Sequence, residues 1–192
     1  MHPDEIQALL NAAPKYLRLW LLFCSDLAIR SGTAGRIGPD NYDRQRRELR
    51  FSTKYGAKLT MPVTADIEAL INECDMDKDI SFVRQLQVRD HTGKGRTMNP
   101  NTREATQLDR PYRDLLKQVG IHRHIVPHDL RRTAAVAMLE LTHDIRDVQS
   151  LLGHRSPQAT IWYLDHDLRK ISRANLETMK RPYIAWRKDK IA

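Results

Sequence analysis

Apolar residues recur at helical spacing along most of this chain and alternate with polar residues in a single region. Residues 17–28 place their apolar side chains three and four positions apart, whereas residues 49–53 and 59–63 alternate. A period near 3.6 suits an amphipathic helix, and a period of two suits a half-buried strand. The short turn between the alternating runs predicts an antiparallel hairpin, to which residues 41–43 add a third strand. We therefore expect an α+β fold, mainly α-helical, with a small three-stranded antiparallel sheet near the first third.

Proline, glycine and acidic residues predict where the helices begin and end. A helix that opens at Pro14 is expected to run through Arg30, and residues 75–100 are the least regular part of the chain. The helix that contains Tyr163 is expected to end near that residue. A further helix is then predicted to start at one of two acidic residues, Asp165 or Asp167.

Length and hydropathy exclude several classes of protein. The 192 residues suit a single domain, and the longest apolar run has six residues, Leu19 to Cys24. A membrane span needs about 20, and the first ten residues lack the basic and apolar pattern of a signal peptide. Cys24 and Cys74 lie far apart, which excludes a disulfide scaffold and predicts ordinary thiols, buried or partly exposed. We expect a soluble, cytoplasmic domain without membrane contacts.

Positive charge is concentrated in one part of the chain. The sequence has 32 Lys and Arg against 24 Asp and Glu, a net charge of +8. Residues 30–58 hold eight basic and three acidic side chains. Such clustering favours a polyanionic partner, usually nucleic acid. The alternative is a solvated basic face of the hairpin, and clustering alone leaves both interpretations open.

The second half of the chain carries an ordered set of groups suited to chemistry. His128 and Arg131 stand three residues apart at the predicted start of a helix, so they share one face. His154 follows a Leu-Leu-Gly sequence, and Tyr163 comes nine residues after it. Each piece alone is common in proteins, but the ordered combination is not. No Asp/Glu cluster suits Mg²⁺ and no glycine-rich phosphate loop is present, so the sequence predicts neither a metal nor a cofactor.

This combination resembles the catalytic domain of the tyrosine recombinases, the phage integrase family. The resemblance covers roughly residues 14–175 and is strongest in PHDLRRTAA and LLGHRSPQATIWY. The catalytic residues that the family motif implies are Arg30, Lys54, His128, Arg131, His154 and Tyr163.

The sequence departs from the family pattern near the first arginine. Ala28 and Ile29 stand where the family usually has Gly-Leu, and Thr33 stands where an acid is common. Arg36 is therefore the alternative to Arg30, although its spacing to Asp43 is wrong for the family.

The resemblance implies a reaction that the residue types can perform. Tyr163 would attack a DNA phosphate to form a 3′-phosphotyrosyl intermediate, while Arg30 and Arg131 clamp the phosphoryl oxygens. Lys54, or Lys58 in the same hairpin, would protonate the leaving 5′ oxygen.

The two histidines complete the implied machinery. His128 would be the general base toward Tyr163, and His154 would hydrogen-bond the phosphate. Trp162, next to the nucleophile, is predicted to pack in the fold rather than stack on a base.

The resemblance also implies partners and organisation. Double-stranded DNA is the expected partner, with a tetramer on DNA and a monomer or weak oligomer without it. We expect residues 1–192 to be one catalytic domain without the N-terminal core-binding domain, and a tail of about residues 176–192 to dock on a neighbouring protomer. The alternatives are a DNA-relaxing enzyme of the type IB topoisomerase kind and a DNA-binding regulatory relic without cleavage activity.

Overall fold

A computed structural model describes residues 1–52, 56, 58–90 and 105–168, the side chains of 90, 105–107 and 165–168 apart. Helices in these ranges are α1 (Pro3–Ala12), α2 (Lys15–Ser25), α3 (Ser31–Ala34), α4 (Ala65–Ile71), α5 (Phe82–Asp90), α6 (Ala105–Gln118), α7 (Pro127–Thr142), α8 (Ile145–Leu152) and α9 (Pro157–Leu168). The strands are β1 (Tyr42–Asp43), β2 (Glu48–Ser52) and β3 (Lys58–Pro62). The predicted α+β fold, mainly helical with one small antiparallel sheet, is confirmed.

The sheet has the order β1-β2-β3 and is antiparallel throughout. Leu49 of β2 pairs with Met61 of β3, and both side chains are buried against the helices. The neighbouring Arg50 is exposed. This burial of one face explains the alternation in the sequence. Lys54, the predicted catalytic lysine of the hairpin, lies outside the described residues, as do positions 176–192 of the predicted docking tail.

Helix α2 runs through the centre of the core. From Leu19 to Cys24 every side chain is buried, and α2 packs against α5 and α7. Trp20 meets Tyr112 of α6 edge to face, with ring centroids 5.5 Å apart. Along the described residues, no helix combines the length and the apolar character needed to cross a membrane.

A smaller apolar cluster joins the last three described helices to the segment before Arg30. Its buried members are Ala28, Ala134, Ala135, Val148, Leu152 and Leu164. The cluster brings α7, α8 and α9 together with the loop that follows α2, and these elements carry the predicted site residues.

The predicted helix from Pro14 to Arg30 is wrong at its end. Helix α2 stops at Ser25, and the N–H of Ile29 bonds to the carbonyl of Phe23 at 2.9 Å, closing a wide turn. Within this turn Ala28 has a φ of 49°, in the left-handed region. Alanine rarely adopts that conformation, so the sequence gives no signal for it.

Two other helix boundaries differ from the prediction. Helix α5 occupies part of residues 75–100, because Phe82, Val83 and Leu86 are buried on one helical face. Helix α9 continues to Leu168 without a break at Asp165, since no glycine or proline interrupts it after its first residue.

Candidate active site

Five of the six predicted site residues come together on or next to four helices, α3, α7, α8 and α9. Arg30 directly precedes α3, His128 and Arg131 lie in the first two turns of α7, His154 follows α8, and Tyr163 lies in α9. The charge of Arg30 acts on the other four, since it adds to the effect of burial in lowering the pKa values of both histidines and Arg131 and opposes the effect of burial in raising that of Tyr163. Arg36, the alternative to Arg30, is exposed beyond α3.

Arg131 is the buried centre of the site, with 3% of its surface exposed. Its Nη1 donates to the carbonyl of Ala28, and its Nη2 donates to the carbonyl of Leu152 at 2.8 Å. One guanidinium therefore ties the loop that carries Arg30 to the end of α8. Burial, and then the charge of Arg30, lower the pKa of Arg131 to about 10, so it remains a cation at neutral pH.

The left-handed conformation of Ala28 accompanies its bond to Arg131. The residue is fully buried, and glycine, which the resemblance described above places at this position, would adopt a positive φ without strain. The departure from the family pattern therefore concerns backbone strain beside the site, and the carbonyl of Ala28 still accepts from the buried arginine.

Tyr163 stands between the two histidines. Its ring centroid lies 5.2 Å from that of His128 and 5.8 Å from that of His154, both edge to face. Its hydroxyl oxygen and the Nε of Arg131 are both buried, and neither has a hydrogen-bond partner among the described residues. The two groups interact electrostatically, although their atoms do not meet the geometry of a hydrogen bond. Buried polar atoms are rarely left unpaired, so these two atoms are candidates for contacts with a ligand.

The protonation states suit a nucleophile and its base. Burial raises the pKa of Tyr163, while Arg131 and Arg132 oppose the increase, so the phenol is protonated at neutral pH. Burial and then Arg131 lower the pKa of His128, against the opposing carboxylate of Asp129. A histidine with a lowered pKa is neutral at pH 7 and can accept a proton.

His154 is held from two helices. Its backbone N–H donates to the carbonyl of Gln149 at 3.1 Å, and the Gln149 side chain returns a bond to its carbonyl at 3.0 Å. Its Nδ1 lies 3.0 Å from the hydroxyl of Thr160. Burial and then Arg131 lower the pKa of His154. The sequence reasoning missed Thr160, although its position three residues before Tyr163 puts it on the same face of α9.

The hairpin lies close to the site at Gly153, the residue before His154. Gly153 has a φ of 62°, and a methyl group on it would come within 2.6 Å of Leu59 Cδ1 in β3. At the tip of the hairpin, a methyl group on Gly56 would lie 3.9 Å from an Nη of Arg155. The described flank of the hairpin thus lies beside the turn that carries His154.

Two further predictions concern Trp162 and the two cysteines. Trp162 is 75% exposed, so the expectation that it packs in the fold is wrong. Cys24 and Cys74 are both buried with free thiols, as predicted. Within the described ranges, no three His, Cys, Asp or Glu side chains are grouped so that they could hold a metal ion.

Comparisons with known proteins agree with this geometry. The model of the phage integrase family matches residues 1–170. Tyrosine recombinase XerC of Chlamydia pneumoniae is 39% identical over 150 residues, covering 74% of this chain and 44% of that protein. The putative integrase/recombinase y4qK of Sinorhizobium fredii is 27% identical over 187 residues, covering 95% and 58%. The chain thus spans about half the length of these curated relatives.

Solved structures share the fold. The XerA recombinase superposes with a TM-score of 0.66 at 22% identity, covering 95% of this chain and 64% of that one. The XerH site-specific recombinase, bound to a palindromic difH substrate in a post-cleavage complex, gives 0.65 at 18% identity, covering 91% and 51%. Because the family model spans most of the sequence, this chain belongs to the phage integrase family of tyrosine recombinases.

Proposed function

We propose that this chain is the catalytic domain of a site-specific DNA recombinase that breaks and rejoins strands through a 3′-phosphotyrosyl intermediate. One observation carries the proposal. The buried hydroxyl of Tyr163 and the buried Nε of Arg131 lie close enough to interact electrostatically, yet neither has a hydrogen-bond partner among the described residues, and both histidine rings lie against the tyrosine. A phosphodiester in contact with both atoms would give each of them a partner.

The cleavage step follows from these groups. His128 takes the phenolic proton as the Tyr163 oxygen attacks phosphorus. The bond from phosphorus to the 5′ oxygen breaks, and that oxygen leaves with a proton. Lys54 is our proposed donor of this proton, because the described strand β3 of its hairpin lies beside the turn that carries His154. The phosphotyrosyl ester conserves the energy of the broken bond for rejoining, so metal and ATP are not required.

Charge on the phosphate is balanced by two arginines. Arg131 is fixed by backbone carbonyls and presents Nε. The side chain of Arg30 forms no hydrogen bond or ion pair within the described part of the chain, so its guanidinium is available to a ligand. Planar guanidiniums match the geometry of phosphate oxygens and keep their charge. His154 supplies a further donor.

Double-stranded DNA is the proposed partner. The net charge of +8 favours a polyanion, and the XerH structure that shares this fold contains its difH substrate. On DNA we propose a tetramer, with residues 176–192 docking on a neighbour, and without DNA a monomer or weakly associated species. The comparisons name recombinases and integrases, so a DNA-relaxing enzyme is not favoured. The complete set of reacting groups argues against an inactive relic.

Capture of the covalent intermediate tests the proposal. Wild-type protein is mixed with a pool of nicked duplexes whose sequence is randomised around the nick, so that the 5′ fragment diffuses away after cleavage and traps the adduct. We expect an SDS-stable protein–DNA adduct that Tyr163→Phe abolishes. Tyr42→Phe, which removes a hydroxyl in β1 outside the site, should retain it. Failure of the wild-type protein to trap DNA from the pool, or an adduct with Tyr163→Phe, would refute the proposal.

A further inference from the structure

We infer that Thr160 is a positioning residue that fixes the neutral His154 ring in one tautomer, with the proton on Nε2. This inference rests on the proposed function only in the use of that proton, which we assign to the DNA phosphate. The tautomer itself follows from the hydrogen bond between the Thr160 hydroxyl and Nδ1, 3.0 Å long.

Thr160 does not behave like other threonines in the helices of this protein. The hydroxyl of Thr133 donates to the carbonyl of Asp129 at 2.8 Å, and that of Thr142 donates to the carbonyl of Met138 at 3.0 Å. Both bonds go back four residues along the helix, as is usual for threonine. The Thr160 hydroxyl makes no such bond within the described residues, and its partner there is His154 Nδ1.

Burial determines the direction of this hydrogen bond. Thr160 is fully buried, so its hydroxyl proton needs an acceptor within the protein. If Nδ1 carried a proton and donated to the hydroxyl oxygen, the hydroxyl proton would have no acceptor among the described residues. The hydroxyl therefore donates to Nδ1, which leaves the ring proton on Nε2.

The surroundings of His154 explain why its tautomer is important for contact with a phosphate. His154 is neutral at pH 7 because burial and then Arg131 lower its pKa. Its backbone is fixed by two bonds to Gln149, and its ring contacts Tyr163. With Nδ1 occupied by Thr160, Nε2–H is the one ring donor left for a phosphate oxygen. In the other tautomer Nε2 would present a lone pair to that oxygen and repel it.

Nitrogen NMR of the free protein tests the tautomer without DNA. The imidazole signals of uniformly ¹⁵N-labelled protein are recorded at pH 7.5, and those of His154 are assigned by their loss in His154→Gln. We expect the wild type to show Nε2 protonated and Nδ1 bare. Thr160→Ser, which keeps the hydroxyl, should retain that pattern, and Thr160→Val, which removes it, should give averaged or exchanged shifts. An Nδ1–H ring in the wild type, or unchanged shifts in Thr160→Val, would overturn the inference.

Adduct formation separates this inference from the proposed function. On the nicked duplexes, Thr160→Val should slow trapping about tenfold, as losing an orienting partner of a catalytic group does, while Thr160→Ser stays near wild type. If the wild type forms no adduct but the NMR pattern is as expected, the proposed function fails and the tautomer assignment stands. If adduct forms but Thr160→Val traps DNA at the wild-type rate, the positioning role fails.

Discussion

Arg30 and Arg131 carry the same charge in the same site, but different contacts hold them in place. Arg131 donates to two backbone carbonyls from a buried position, so it both joins two loops and faces the reacting groups. Arg30 stands at a loop end, half-buried, without such bonds among the described residues. The motif that identifies both arginines therefore does not separate their structural contributions.

Conservative replacement by lysine should separate them. Arg131→Lys keeps the charge but loses at least one charge-assisted bond, so we expect a loss of about 2–3 kcal/mol in the free energy of unfolding. Arg30→Lys should change it by less than about 0.5 kcal/mol. Both should slow adduct trapping by about a hundredfold or more, because a single amine cannot replace a planar fork on the phosphate. Urea unfolding and trapping rates measure the two effects, and equal destabilisation by the two variants would contradict this assignment.

The pKa of His128 predicts how cleavage depends on pH. Burial and the charge of Arg131 lower it from the ordinary value of 6.5, so the ring becomes neutral at a lower pH than a free histidine. Since the base must be neutral, the trapping rate should rise with pH, with the midpoint of the rise below 6.5, and reach a plateau by about pH 8. Trapping by His128→Gln should be slow and should lose the rise, and a wild-type rate that falls with pH in this range would contradict the role of base.

The same shift predicts a loss of stability in acid. A histidine that is neutral in the folded protein takes up a proton more readily when the chain unfolds. The stability that His128 contributes is therefore full above the unfolded pKa of about 6.5 and declines as the pH falls below it.

The strain at Ala28 predicts an unusual response to glycine. Ala28 and Ala135 are both fully buried alanines in the same cluster, but only Ala28 has a positive φ. Ala135→Gly should cost about 2 kcal/mol, from a lost buried methyl and the poor helix propensity of glycine. At Ala28 the relief of about 1–2 kcal/mol of strain offsets the lost methyl, so Ala28→Gly should stay within about 1 kcal/mol of wild type. Thermal unfolding compares the two, and similar losses would show that Ala28 is not strained.

Periodicity predicted most elements well, because local patterns encode them. The hairpin alternates since Leu49 and Met61 face the core, and Gly153 ends α8 in the left-handed conformation expected of a C-terminal glycine. The end of α2 could not be predicted, since the turn through Ala28 is stabilised by Arg131 more than one hundred residues later. Thr160 could not be predicted either, because its role depends on a contact with His154, which lies outside α9.

The contact between β3 and the turn after α8 predicts how much stability is lost when Gly153 is replaced by alanine. Gly153 combines a positive φ with close approach to Leu59, whereas Gly120 has a φ of 79° and nothing within 4 Å of where a methyl would lie. Gly120→Ala should therefore cost only the conformational strain of about 1 kcal/mol. Gly153→Ala should cost about 1–2 kcal/mol more, because Leu59 must move.

A double-mutant cycle isolates this contact. If the steric term arises from Leu59, Leu59→Ala should remove it, so that Leu59→Ala with Gly153→Ala loses less stability than the sum of the two single changes. Strict additivity in urea unfolding would exclude the contact. Gly153→Ala should also slow adduct trapping more than Gly120→Ala does, since it displaces the turn that carries His154.

At the scale of the whole molecule, the positive charge is less available than its count suggests. Within residues 30–58, Arg50 pairs with Asp43 at 3.0 Å, and Arg47 pairs with Glu68 at 3.2 Å. These pairs lie on or beside the sheet, with the arginines exposed and the two carboxylates half-buried. The basic cluster therefore includes a partly neutralised surface, as the solvated-face interpretation expects, and a separate cation, Arg30, in the site.

The difference between the paired arginines of the sheet and Arg30 in the site predicts how DNA binding depends on salt. Each phosphate neutralised by the protein contributes about −0.9 to the slope of log K against log salt concentration. Arg30→Gln removes a cation proposed to contact a phosphate, so it should make the slope less negative by about 0.9. Arg47→Gln removes a cation already paired with Glu68 and should leave the slope nearly unchanged. Fluorescence anisotropy with one labelled duplex from about 50 to 200 mM salt measures both. A larger change for Arg47→Gln than for Arg30→Gln would mean that DNA lies across the sheet instead of over the site, because Arg47 would then exchange its carboxylate partner for a phosphate.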